Sequence, residues 1–442
     1  MTSVAEVRLW NRSIGAVSLE DGEVDAAFQY DPEFADSRVE LSPITMPLSN
    51  QIYTFPSLAH ETFHGLPGLL ADSLPDRFGT QLIDAWLATQ GRPPGSLNAV
   101  ERLCYTGSRG MGALEFVPST GPDRMASDEI QIDRLVALAS DILSQRGQLQ
   151  GSLSTDERHG ALADILHVGT SAGGARAKAV IAWNQATGEV RSGQLEANSG
   201  FEHWLIKFDG VSGNKDKELE DPEGYGAIEY AYSLMATEAG IRMHPCRLME
   251  EGGRRHFMTQ RFDRDDDGKK FHMQSLGALA HLDFNAAGAH SYEQAFAAIR
   301  KLGMGMAEIE EQFRRMLFNV VGRNQDDHVK NIAFLMEKSG EWQLSPAFDV
   351  TYSYNRTGKW TAQHQMSING KRDGFAREDF RICAKAAQLM RGRSDAMLEE
   401  VVSAVGRWEA FAAEAEVPQG DTDRIRNAHR LEFGGSTGTM RS

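Results

Sequence analysis

The sequence predicts an α+β fold built in lobes, and three observations carry that expectation. The chain has 442 residues, too many for one small core, so two or three domains or lobes are needed. Residues 1–118 alternate apolar and polar positions around turn signals, the pattern of paired strands. From about residue 275 onward the apolar positions recur at helical spacing over long stretches. The expected divisions are 1–118, 119–264, 265–432 and a mobile tail at 433–442.

At the N-terminus, "EVRLWNRSIGAVSLEDGEVDAAFQY" reads as hairpins, with turns expected at Arg12–Ser13 and Asp21–Gly22. "LPGLLADSLPDRFGTQLIDAWLATQG" reads as one helix with Pro75 near its first turn and Phe78, Leu82, Ile83 and Trp86 on one stripe. The Pro-, Ser- and Gly-rich run at 117–129 is the expected linker. Between 130 and 264, "AVIAW", "HWLIKF" and "RHFMTQRF" read as strands, and "YGAIEYAYSLMATEAG" as a helix closed at Gly240. Beyond it, "MAEIEEQFRRMLFNVVG" aligns Ile309, Phe313, Met316, Leu317, Val320 and Val321 on one face. "AMLEEVVSAVGRWEAFAAEA" does the same with Leu398, Val401, Val402, Val405, Trp408 and Phe411. Both stripes are read as core.

Composition closes several doors. The longest apolar runs fall short of the roughly 18–20 residues a bilayer crossing requires, and "MTSVAEVRLWNRS" lacks the basic-then-apolar pattern of a signal peptide. Cys104, Cys246 and Cys383 are odd in number and far apart, which fits a reducing cytoplasm better than a disulfide framework or a thiolate zinc site. A cytoplasmic protein without a membrane anchor is therefore expected. The formal net charge of −16 disfavours unaided DNA binding, because phosphate backbones repel it, yet it leaves room for a local cationic pocket.

The densest chemistry lies in "RNQDDHVKN" (323–331), at the end of a helical stripe closed by Gly322. Asp326 and Asn331 are five positions apart. That spacing serves phosphoryl transfer: a carboxylate faces the attacking hydroxyl while a neutral amide oxygen faces a metal, both on one short loop. Asp349 in "SPAFDVTYS" supplies a second hard oxygen, a donor set suited to Mg²⁺. A polar helix-ending turn would explain "NQDDH" equally well on its own.

"HWLIKF" sets Lys207 inside an apolar strand, where an ammonium needs an anionic partner. A nucleotide phosphate would serve, with Glu229 on the following helix as a protein partner; a strand-edge lysine with a packed stem is the alternative. "VGTSAGGARAKAVIAW" (168–183) offers a phosphate cradle in which Gly173 and Gly174 permit close backbone approach and Ser171 adds a hydroxyl, or else a plain hairpin loop. Ala175 and Arg176 replace the Lys–Ser/Thr pair of a Walker A motif, which excludes a P-loop NTPase. "DRDDDG" matches the first half of an EF-hand, but Gln274 stands where the closing Glu is required, so a hairpin turn is expected.

In this order, "VGTSAGGARAKAVIAW", "HWLIKFDG", "QRFDR", "RNQDDHVKN" and "SPAFDVTYS" resemble the HipA family of bacterial serine/threonine kinases, toxins of type II toxin–antitoxin pairs. "LPGLLADSLPDRFG" and "GSRGMGALEF" look like that family's N-terminal region, so the likeness covers nearly the whole chain. It implies an N-terminal α/β subdomain, a kinase-like lobe with a small sheet, and an all-helical C-terminal lobe. It also implies Asp326 as catalytic base and Asn331 and Asp349 as Mg²⁺ ligands. ATP would be held by Ser171, Ala172, Gly173, Gly174, Lys207, His328 and Lys330, with Gln260 and Phe262 at the adenine and Asp263 near the ribose. Gln260 stands where the family motif often has Glu, a change that a backbone contact tolerates. Ser171 matches the serine that family members autophosphorylate. By the same resemblance, a helix-turn-helix, HipB-like antitoxin is the expected partner, DNA is reached only through it, and an aminoacyl-tRNA synthetase, notably the glutamyl enzyme, is the expected substrate.

Two other functions compete. A non-catalytic kinase-like scaffold would bind an antitoxin and DNA without turnover; retention of Lys207, Asp326, Asn331 and Asp349 argues against it. A metal-dependent phosphohydrolase would centre on Asp326, Asp327 and His328 and would leave Lys207 and the Gly-rich loop unexplained.

Overall fold

The computed structural model describes residues 3–121, 132, 135–137, 139–140, 176–193, 200–211, 223–265 and 268–434. They form two compact units: one of Met1–Gly226, His244–His281 and Phe334–Glu341, the other of Ala227–Met243, Leu282–Ala333 and Trp342–Ser442. The boundary expected at 118/119 thus falls inside the first unit.

Among the described residues, the first unit holds two five-stranded antiparallel sheets. In the N-terminal one, β1 (Ser3–Leu9), β2 (Arg12–Leu19), β3 (Ala27–Tyr30), β4 (Ile52–Tyr53) and β5 (Leu114–Val117) take the order β4-β3-β2-β1-β5. The first turn falls at Trp10–Asn11, not at the expected Arg12–Ser13. Both residues adopt positive φ (50° and 65°), the twist a two-residue hairpin demands, and Arg12 already pairs with Leu9. The long helix expected around Pro75 is also broken. A single turn at Gly68–Ala71 precedes the helix Arg77–Thr89, because Pro75 lies outside it and Asp76 starts it, accepting the Gly79 N–H at 2.6 Å.

The second sheet contains the expected strands. β6 (Lys178–Trp183), β7 (Val190–Ser192), β8 (Glu202–Lys207), β9 (Cys246–Glu251) and β10 (Arg254–Gln260) are ordered β7-β6-β8-β10-β9. One face carries Ala179, Ile181, Trp204, Ile206 and Met258 into a core shared with Phe78, Leu82 and Ile83 of the Arg77–Thr89 helix. The register puts Lys178, Lys207 and Phe257 opposite one another on the other face.

The second unit is mainly helical, with Met306–Val321 at its centre packed against Arg393–Val405. Every residue of the first expected stripe is buried. The second stripe is split: Gly406 ends one helix and Trp408–Glu414 forms the next, with Val402 alone half-exposed. The expected all-helical lobe also contains strands, Trp342–Leu344 and a two-residue parallel ladder in which His290 and Ser291 pair with Met366 and Ser367. That ladder fixes the two segments flanking the catalytic-loop candidate, a task helices alone would leave undone.

Buried imidazoles make the fold acid-sensitive. Burial lowers His281 from 6.5 to about 4, and its Nε2 accepts the Gly68 N–H at 3.1 Å, which requires the unprotonated ring. Between those values the unfolded chain binds the extra proton, so stability is full above pH 6.5 and falls as pH drops toward 4. Urea midpoints measured from about pH 7.5 to 4.5 should decline through this window, and His281→Gln should flatten part of the decline.

Candidate active site

The helix Met306–Val321 ends with the Gly322 N–H donating to the Phe318 carbonyl at 2.8 Å, and Arg323, at φ 58°, turns the chain sharply away. Beyond this turn, exposure alternates residue by residue from Asp326 to Lys330. The alternation sorts the charges. Asp326, His328 and Lys330 are partly exposed, whereas Asp327 and Val329 are buried. The loop closes in a turn at Val329–Asn331, where the Asn331 Nδ2 donates to the Asp326 backbone carbonyl at 2.9 Å. This bond uses the amide nitrogen and leaves Oδ1 as the atom a cation could take, which is the physical content of the five-residue spacing.

His328 comes no closer than 4.0 Å to Asp326, too far for a hydrogen bond. It leans instead on Phe284, with ring centroids 5.7 Å apart, and the Lys330 ammonium sits 5.0 Å from the same ring. Phe284 is therefore a platform under both, and nothing in its sequence surroundings signals it. Asp349 is partly exposed and has φ 52°, a left-handed conformation costly for any residue but glycine and least so for Asp or Asn. Its backbone carbonyl accepts from Asn324 Nδ2 at 3.3 Å. Asp326, Asn331 and Asp349 thus lie in the same unit, each with an oxygen on a partly exposed side chain.

Asp327 belongs to the interior. Its Oδ2 accepts from the Tyr292 hydroxyl at 2.7 Å and from His364 Nδ1 at 2.8 Å, and its Oδ1 accepts the Gln365 N–H at 2.7 Å. Burial alone would raise this carboxyl, but the His364 ring and these hydrogen bonds hold it below its ordinary value. The phosphohydrolase reading required Asp326, Asp327 and His328 to share one metal. The alternation points Asp327 away from the other two, and among the described residues no three His, Cys, Asp or Glu side chains gather for a metal.

In the first unit, Lys207 ends β8 nearly buried, its Nζ 5.7 Å from the Phe257 ring centroid. Opposite it, Lys178 is held by the buried Asp76 carboxylate at 3.5 Å, so that carboxylate caps a helix and neutralises a strand lysine together. Asp209, two residues beyond Lys207, accepts the Gly224 and Gly226 N–H groups and so starts the helix Tyr225–Glu238, on which Glu229 is buried. Gln260 ends β10 partly buried, its carbonyl 3.0 Å from His244 Nδ1, and Phe262 is buried. Ser171, Ala172, Gly173 and Gly174 lie outside the described residues.

Asp263 departs from its expected place at a ribose. It is fully buried, and its two oxygens are taken by Arg261 at 2.8 and 2.6 Å, Arg264 at 2.9 Å and the Gly112 N–H at 2.7 Å. Burial opposes its ionisation, but the two guanidiniums hold it well below the usual carboxylate range. Arg264 also donates to the Gly112 carbonyl, and Lys270 reaches Glu115 at 2.8 Å. "QRFDR" therefore clamps the kinase-like sheet to the N-terminal one, and the ribose contact is dropped for Asp263.

The comparisons agree with this architecture. A model of the HipA N-terminal domain matches residues 5–117, and a model of the HipA-like C-terminal domain matches 170–408. A provisionally named kinase of Haemophilus influenzae is 29% identical over 159 residues, 32% of this chain and 46% of that protein. Another, from Sinorhizobium fredii, is 24% identical over 192 residues, 39% of this chain and 44% of that protein. The match thus spans a little under half the length of each relative. Among solved structures, the Shewanella oneidensis toxin–antitoxin complex of HipA and HipB with operator DNA contains a chain matched at TM-score 0.66 and 17% identity, over 96% of this chain and 100% of that one. That likeness is one of fold.

The Asp263 clamp has a measurable consequence. Asp263→Ala leaves two buried guanidiniums uncompensated and should cost about 3–5 kcal/mol in denaturant unfolding. Asp265→Ala, at a partly exposed turn carboxylate nearby, should cost well under about 1 kcal/mol.

Proposed function

The chain belongs to the HipA family, and we propose that it is an ATP- and Mg²⁺-dependent protein serine/threonine kinase acting as the toxin of a toxin–antitoxin pair. The observation that carries this reading is the paired use of Asp326 and Asn331: the carboxylate stands toward solvent while the amide nitrogen is tied to the Asp326 carbonyl, freeing one neutral oxygen.

In this reading Asp326 orients the acceptor hydroxyl and takes its proton. Asn331 Oδ1 and the Asp349 carboxylate hold Mg²⁺, and a hard cation suits those oxygens. Bound Mg²⁺ would neutralise the developing charge on the transferred phosphoryl group. Lys207 holds nucleotide phosphates, assisted by His328 and Lys330 on their Phe284 platform, and Glu229 is its protein partner. The Gly-rich segment Ser171–Gly174 covers the phosphates, and Gln260 and Phe262 receive the adenine. Positioning and charge neutralisation do most of the work, since phosphoryl transfer asks little covalent help of a protein.

The Shewanella complex supports a helix-turn-helix, HipB-like antitoxin as the partner, with DNA reached through it. The acidic balance of this chain fits that arrangement, because a basic partner would supply the DNA contacts. An aminoacyl-tRNA synthetase is the proposed substrate, and the cytoplasm the proposed compartment. No helix among the described residues is long and apolar enough to cross a membrane.

Two measurements test this reading. Transfer from labelled ATP to proteins of a cell lysate should fall by a factor of roughly 10² or more in Asp326→Ala and in Asp349→Ala. The first should leave the unfolding midpoint unchanged, and the second should stay folded at a lowered midpoint because alanine tolerates the left-handed φ of 52° less well. Wild-type transfer by either variant overturns the assignment. Intact-mass analysis after incubation with ATP should show one added phosphate, lost in Ser171→Ala; a phosphate mapped elsewhere removes the autophosphorylation.

A further inference from the structure

We propose that Asp327, Tyr292, Asn319, Asn324 and His364 form a buried positioning chain that sets Asp326 and Asp349 for phosphoryl transfer, with Arg430 as its outer anchor. The inference rests on the kinase reading and adds positioning residues to it.

The chain can be traced donor by donor. Asn324 Nδ2 donates to the Asp349 carbonyl at 3.3 Å and to Asn319 Oδ1 at 3.0 Å. Asn319 Nδ2 donates to the Tyr292 oxygen at 3.0 Å, and the Tyr292 hydroxyl donates to Asp327 at 2.7 Å. From the other side His364 Nδ1 donates to the same carboxylate oxygen at 2.8 Å. That tautomer leaves Nε2 as an acceptor, and the Arg430 guanidinium lies 3.3 Å from it. Asn324, Tyr292, Asp327 and His364 are all buried.

The ends of this chain matter most. One is the residue after Asp326, whose peptide cannot swing while three donors grip the Asp327 carboxylate. The other is the backbone of Asp349, held in a left-handed conformation that it would leave if free. The parallel pairing of His290–Ser291 with Met366–Ser367 brings Tyr292 and His364 to the carboxylate from two separate segments. Stability alone accounts poorly for such an arrangement, because buried ionic groups are often replaceable by apolar ones at no loss. A connected network of this kind does specify one geometry, and this geometry contains both catalytic aspartates; the Oδ1 of Asn324 alone among its buried members lacks a hydrogen-bond partner.

The test uses the full chain and four variants: Tyr292→Phe, Asp327→Asn, Asn324→Ala and, as control, Val405→Ala. Val405 is buried in the same unit on the Arg393–Val405 helix and takes no part in the chain. Unfolding midpoints, kcat and KM for ATP are measured for each. The downfield imidazole N–H proton signal expected of a His364–carboxylate bond is recorded without nucleotide or metal. Tyr292→Phe and Asp327→Asn should lower kcat by about tenfold to a hundredfold with KM for ATP within about twofold. Asn324→Ala should raise the half-saturating Mg²⁺ concentration. Asp327→Asn should shift or abolish the downfield signal, and Val405→Ala should lose stability with kcat and signal intact. If the three chain variants behave like Val405→Ala, the chain is only structural and the proposal fails. If wild type transfers no phosphate to any protein, the kinase reading fails first and takes this one with it.

Discussion

A carboxylate withdrawn from water must be hydrogen-bonded on all sides or it will not stay charged. Asp327 meets that condition inside the helical unit, and much of the local architecture can be understood as the means of meeting it. The three donors come from two parts of the chain: Tyr292 from the start of one helix, and the His364 ring with the neighbouring Gln365 N–H from the segment after Asp349. The two-residue parallel ladder exists where those segments must be brought level. Asp327 is buried while its neighbour Asp326 is partly exposed, so fixing the inner residue limits what the outer one can do.

The sheet-bearing unit repeats the device with different partners. Asp76 caps a helix and neutralises Lys178, Asp209 caps the helix that follows β8, and Asp263 binds two guanidiniums and a backbone amide. Asp76 and Asp263 thereby join elements far apart in sequence, and Asp209 joins two consecutive ones. Sparing use of such groups suits a chain with a net charge of −16, whose surface acids repel one another while these few hold the interior together.

Much of this is legible in the sequence, and the unread part has a common cause. β6, β8 and β10 are plain because their apolar runs are short, β-rich and bounded by turns. The helix stripes are plain too, but their interruptions at Asp72–Asp76 and Gly406 are not, since an apolar period continues across a break that only capping reveals. "RNQDDHVKN" announces a site without saying which aspartate faces solvent, because that depends on how the irregular loop is seated in the fold. Tyr292 and His364 lie 35 and 37 positions from Asp327, with no local pattern tying them to it. Asp263 misleads for the opposite reason: it stands in a motif that suggests a ligand, while its partner Gly112, 151 positions away, is set by tertiary packing.

The reach of Arg430 to His364 bears on how the protein is made. Synthesis proceeds from the N-terminus, so Asp326 and Asp349 leave the ribosome well before that arginine does. Until it arrives, the imidazole beside Asp327 lacks its outer contact and the Ala428 carbonyl has not met Arg323. A nascent chain would therefore carry its reactive groups for some time in an unfinished setting. For a kinase of the kind proposed above, such a delay would separate the birth of the polypeptide from the onset of its activity.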